Sequence, residues 1–184
     1  MKKIYEFEKS LNVGELGEDI VEKYLNGLSN VKEVKSVKNI KRYQVDDIDF
    51  LVYLNTGKEI SIEVKCDSYK SGNLYYETKS CMEFNTIGCL EKTKADYIFY
   101  YFLNLKTLYI FKTNKFRNWV RAEIKNTNPT SKDSIIKEKK VFNKVFNKRT
   151  KENDIYTSLG YTIPLKYIEN KLSDKNIYKK YYNI

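Results

Sequence analysis

There is no histidine among the 184 residues, and that absence removes several chemistries at once. Ser-His-Asp and Cys-His catalysis need an imidazole, as do nucleases that use a histidine general base. Cysteine is scarce: Cys66, Cys81 and Cys89 show no C-x-x-C spacing and have no histidine to complete a zinc site. An odd number of thiols reads as ordinary reduced cysteine. Two prolines and seven glycines are too few for a linker protein, and 41% hydrophobic residues are too many for a disordered chain. No apolar run approaches the roughly 20 residues that cross a bilayer. The N-terminal stretch turns acidic at once and lacks the apolar segment of a signal peptide. A cytoplasmic location without a membrane partner is the expectation.

What is abundant is positive charge. The formal net charge of +10 favours a polyanionic partner, nucleic acid above all. AT-rich coding, which enriches Lys, Asn, Ile and Tyr together, would give the same bias without any such partner. Without histidine or a cysteine cluster, a bound metal would be held by carboxylates. That donor set suits Mg²⁺, with Mn²⁺ as a substitute.

Periodicity orders the elements. Residues 11–28 form an amphipathic helix with Leu16, Ile20, Val21, Tyr24, Leu25 and Leu28 on one face and Glu18 at its border. Strands are expected over 44–54, 59–66, 73–79, 96–103 and 107–111, and a short helix over 86–94. Asn114 is placed to cap a helix that buries Phe116, Trp119 and Val120. Residues 139–151 hold six basic residues and no acid; Val141, Phe142, Val145 and Phe146 would be their apolar face as a helix. Pro164 fits the first turn of a last helix. The order argues for one mixed α/β layer. Residues 1–122 are expected to form the core, and residues 123–184 a basic, partly helical extension packed on it.

The chemistry concentrates in one hairpin. Alternation puts Asp47 and Asp49 on one side of the first strand, and Glu63 and Lys65 on one side of the next. A three-residue loop, Asn55-Thr56-Gly57, pairs Leu54 with Lys58. That register sets Asp49 opposite Glu63 and Asp47 opposite Lys65. Two carboxylates whose Cβ atoms lie about 5 Å apart repel unless a cation sits between them. An ammonium on the same face can stabilise charge on a phosphate. A solvated strand face with mixed charges would carry the same residues.

These residues resemble the PD-(D/E)XK, or restriction-endonuclease-like, nucleases. The likeness rests on Gly14-Glu15-Leu16-Gly17-Glu18, Asp47-Ile48-Asp49-Phe50-Leu51 and Ile62-Glu63-Val64-Lys65, and is nearest to Holliday-junction-resolvase-like and YraN-like members. It implies a central mixed β-sheet flanked by helices in the order α-β-β-β-α-β. It also implies Mg²⁺ on Asp49 and Glu63, Lys65 as the catalytic lysine, and Glu18 as an outer or second-metal carboxylate. Asp47 competes with Asp49 as principal ligand, since the motif here has Asp47-Ile48 where Pro-Asp is usual. Residues 72–77 with Gly88 and 93–97 look like small phage- or prophage-encoded members, which adds Glu77 and Lys94 as site-adjacent residues.

Lys139, Lys140, Lys144, Lys148 and Arg149 would contact phosphates of DNA, or form one solvated face. The tyrosines are expected mainly in core and sheet packing. The leading reading is therefore a Mg²⁺-dependent DNA endonuclease, dimeric if two strands are cut symmetrically. The alternative is a DNA-binding or host-factor-blocking protein of the same fold without catalysis.

Overall fold

The computed structural model describes residues 4–127, 142–151, 154–173 and 175–184. Strand β1 (Ile4–Glu6) leads into α1 (Phe7–Asn26), β2 (Val31–Ser36), α2 (Lys41–Asp46), β3 (Phe50–Leu54) and β4 (Glu59–Asp67). Then come β5 (Asn73–Cys81), β6 (Thr86–Ile87), α3 (Cys89–Lys92), β7 (Tyr97–Phe102), β8 (Thr107–Lys112) and α4 (Thr113–Thr127). The chain ends with β9 (Asn143–Lys151), β10 (Asp154–Pro164), α5 (Leu165–Leu172) and β11 (Tyr178–Tyr182).

The class is mixed α/β, with a central mixed sheet flanked by helices. That sheet has six strands in the order β11-β8-β7-β4-β3-β2, and β4 with β7 is its parallel pair. A parallel neighbour needs a crossover, and the chain uses β5, β6 and α3 for it. Here the single expected layer gives way to two. Strand β5 leaves the central sheet and joins a second one, ordered β1-β9-β10-β5-β6.

Burial on both faces explains the composition of β7. Its sequence YIFYYF is apolar throughout, as a strand covered on both sides should be. Ile98, Tyr100 and Phe102 pack toward Tyr109, Phe111, Phe116, Ile163 and Ile168. Phe99 and Tyr101 pack on the other side with Phe50, Val52, Ile62, Val64 and the α1 residues Val21 and Leu25. The Phe111 and Phe116 rings stack with centroids 4.0 Å apart. Each fully buried ring of this kind contributes about 1.5–3 kcal/mol.

Several expectations are corrected. Leu16 does not join the buried face of α1; it is 48% exposed. Residues 44–49 are not strand, because α2 occupies 41–46 and β3 begins only at Phe50. The basic stretch does not continue as a helix, since residues 143–151 form β9, paired along its length with β10. Helix α4 starts at Thr113, one residue before the expected cap, and buries Phe116, Trp119 and Val120 as expected. Strand β2, which sequence reasoning passed over, closes one edge of the central sheet. No helix among the described residues is long and apolar enough to cross a membrane.

Candidate functional site

The β3–β4 hairpin has the register that its loop dictates. Phe50 pairs with Ile62, Leu51 with Ser61 and Tyr53 with Glu59, and the Leu54 N–H donates to the Lys58 carbonyl at 2.9 Å. Gly57 makes this turn available with φ +83°, a value that costs a side chain about 1–2 kcal/mol. One residue before β3 the ladder slips: Asp49 N–H donates at 2.9 Å to the carbonyl of Ile62, which already pairs with Phe50, so the expected pairing of Asp49 directly across from Glu63 is not kept. Asp49 instead lies within electrostatic reach of Glu63. Its Oδ2 accepts the backbone N–H of Val64 at 2.8 Å, which ties this carboxylate onto β4 where the ladder ends.

Glu63 and Lys65 share the face of β4 turned away from α1. Glu63 is 2% exposed, and Lys65 Nζ lies 2.6 Å from its Oε1. Burial pushes the Glu63 carboxyl well above the usual range; the Lys65 charge opposes this, and Asp49 and Asp47 add to it. For Lys65, burial works against the charge, but Cys89, Glu63 and Asp49 together hold the ammonium well above its ordinary value. Burial pushes the Cys89 thiol up to about 12.

Asp47 reaches the site by another route than strand alternation. It caps α2 in the left-handed region at φ 48°, which Asp tolerates better than most residues. Thr93, itself buried, donates its hydroxyl to Asp47 O at 2.6 Å, and Lys92 Nζ stands 3.2 Å from Asp47 Oδ1. Arg117 in turn donates to the carbonyls of Leu90 and Thr93, so α4 steadies this corner. Asp47, Glu77, Cys89 and Lys92, with Ser80, Thr86 and Ile87, line an open cleft of about 460 Å³. Glu77 is 8% exposed there. Lys94 is turned to Asp46 at 2.7 Å.

Glu18 comes from the opposite face, on α1. Gly17 lets the helix approach closely: a Cβ there would stand 2.4 Å from Cys66 Cβ. Glu18 Oε2 pairs with Lys38 Nζ at 2.7 Å. Burial raises the Glu18 carboxyl, Lys38 opposes this, and Asp49 and Lys65 lie within electrostatic reach. The hairpin, α1 and the α2–α3 corner therefore bring Glu18, Asp47, Asp49, Glu63 and Lys65 into one electrostatically coupled group. Sequence reasoning missed Lys38, Lys92 and Cys89. Their elements, a loop and a four-residue helix, are too short for periodicity to place them.

Among the described residues, no three acids or cysteines are grouped closely enough to hold a metal by themselves. The oxygen donors of Asp49 and Glu63 nonetheless fit Mg²⁺ chemistry, because that ion commonly rests on one or two carboxylates plus water and substrate phosphate.

Of the residues expected to touch nucleic acid, Lys144 and Lys148 are exposed on β9. Lys144 Nζ sits 5.3 Å from the centroid of the Phe146 ring. The backbone of Arg149 is in the same strand. Lys139 and Lys140 lie outside the described residues.

No protein-family model matches the sequence, and no curated protein matches it either. Among solved structures the chain is similar to a bacterial homing endonuclease, with 13% identity and a TM-score of 0.45. That likeness spans 70% of this chain and 83% of the other. A likeness this distant fixes neither activity nor substrate.

Proposed function

We propose that the chain is a metal-dependent nuclease that hydrolyses DNA phosphodiesters, in the manner of the PD-(D/E)XK enzymes its hairpin resembles, and that it serves a phage or mobile element. The observation that carries this reading lies at the end of the β3–β4 hairpin. There the buried Glu63 carboxylate is 2.6 Å from the Lys65 ammonium, and Asp49, tied to the Val64 N–H, is within electrostatic reach of both. Repelling acids kept together in a half-buried place, with a cation at hand, suit a divalent ion better than they suit folding stability.

Asp49 and Glu63 would hold Mg²⁺ or Mn²⁺ through carboxylate oxygens, with Glu18 outside them. A bound ion of this kind polarises a phosphoryl oxygen and lowers the pKa of its water. Hydrolysis joins a water oxygen to phosphorus and breaks one phosphorus–oxygen ester bond, leaving a phosphate end and a hydroxyl end. Negative charge grows on the non-bridging oxygens along the way. Lys65, whose ammonium is held above its ordinary range, would supply positive charge where it gathers. Lys144, Lys148 and Arg149 would track the phosphate backbone, and a dimer would let two sites cut both strands.

A second reading, a DNA-binding or host-factor-blocking protein without catalysis, is favoured by the lack of a ready three-acid group among the described residues. One experiment separates the two. Supercoiled plasmid, linear duplex and a four-way junction are incubated with protein in Mg²⁺, Mn²⁺ or EDTA. Cleavage in metal and none in EDTA is expected, with Asp49→Ala and Lys65→Ala slower by about a hundredfold or more. A wild-type protein that binds DNA and cuts nothing in either metal supports the second reading. Equal cutting by Lys65→Ala refutes the assigned role of that lysine.

A further inference from the structure

Residues 82–85 join β5 to β6 in a tight hairpin. Its tip carries Phe84, which at 84% exposure is the most open large apolar side chain among the described residues, with Met82 and Ile87 exposed beside it. Aromatic surface left in water is unfavourable and marks interaction sites. The tip is also well anchored. Met82 N–H donates to Thr157 O at 2.8 Å, and Asn85 N–H closes the turn on Met82 O at 3.2 Å. Both carboxylate oxygens of Glu83 accept the Thr157 N–H at 3.0 Å. A side chain presented on so fixed a backbone has little ordering entropy to lose on binding.

Its surroundings suggest what it meets. Ser80, Thr86 and Ile87, on the two arms of this hairpin, line the same cleft as Asp47, Glu77 and Lys92. Thr157, which anchors the tip, is paired in register with Lys148 of β9, and Lys148 is exposed. An aromatic tip, a cationic strand and an acidic cleft are therefore joined through backbone hydrogen bonds. A cationic strand joined to an exposed ring is the combination that tracks a phosphate backbone and stacks its bases.

We propose that Phe84 is a wedge that stacks on an unpaired base of the bound DNA while the adjoining backbone enters the cleft. This rests on the nuclease reading for its substrate class. It predicts a preference for DNA with a mismatch, nick or branch, where a base leaves the stack at least cost.

The test uses the full chain in EDTA and two duplexes carrying a fluorescent adenine analogue, one fully matched and one with the analogue mismatched. The expected result is tighter binding to the mismatched duplex together with a change in analogue fluorescence. Phe84→Ala should bind about five- to one-hundred-fold more weakly and lose that change, while Phe84→Trp keeps both. Circular dichroism should be the same for all three, because the side chain is not part of the core. If Phe84→Ala binds and reports like wild type, or if wild type binds no DNA, the wedge is wrong; a protein-docking role for the tip is then the reading left. Cleavage is not needed for this measurement. A protein that never cuts DNA yet gives the Phe84-dependent signal loses the nuclease reading and keeps the wedge. One that cuts while the signal is independent of Phe84 does the reverse.

Discussion

Glu83 shows how one carboxylate can act at a distance from the site chemistry. The backbone N–H of Thr157, assisted by its own N–H, lowers its carboxyl to about 2 from the usual 4.5. A folded-state value below the unfolded one means stability that is present above the unfolded value and lost as pH falls toward the folded one. The contribution should therefore be complete at neutral pH and fade between about pH 4.5 and 2. Melting temperatures of wild type and Glu83→Gln, measured at several pH values, check this. The gap between them is expected at pH 7 and should narrow steadily through that acid window. A gap that does not depend on pH would mean that the carboxylate's charge is not what holds the hairpin to Thr157.

At the scale of elements, two glycines set the site. Gly57 keeps the hairpin register through its positive φ, so Gly57→Val should cost about 1–2 kcal/mol in urea unfolding. Gly17 keeps α1 against β4, and Gly17→Leu should cost about 1–3 kcal/mol by overpacking against Cys66. It should also displace Glu18, so metal-dependent cleavage ought to fall more than stability predicts. The hairpin was legible from sequence because alternation, a glycine and a fixed loop length all act locally. Helix α1 was legible because its apolar period runs over many turns. Helix α2 was not, since six residues give too little period and the alternation of Asp47 and Asp49 imitated a strand. Strand β2 was hidden for a related reason: Val31 and Val34 have the spacing of a helix, and an edge strand buries little. The C-terminal strand β9 owes its form to partners far along the chain, β10 and β1, which no local window contains. The coupled acids were legible as a set, although Asp47 joins them through a helix cap.

Across the whole molecule, the question is whether a charge of +10 is a diffuse property or is organised. The pairing of β9 with β10, and of β10 with β5, gives it organisation, because the strand with Lys144 and Lys148 belongs to the sheet whose strands β5 and β6 border the acidic cleft. Each phosphate neutralised by such a side chain releases counterions and adds about 0.9 to the slope of log affinity against log salt. Lys144→Ala with Lys148→Ala should then lower that slope by about two units, and weaken matched and mismatched DNA alike. Lys175→Ala with Lys179→Ala makes the same change of charge at exposed positions at and before β11, on the far edge of the central sheet from β2. That pair should leave the slope unaltered. If both double variants lower it equally, net charge alone governs binding and β9 is not the surface that follows the backbone. If only the β9 pair does so, a phosphate track runs along the sheet that borders the cleft, and the hairpin carrying Phe84 is tied to it through Thr157.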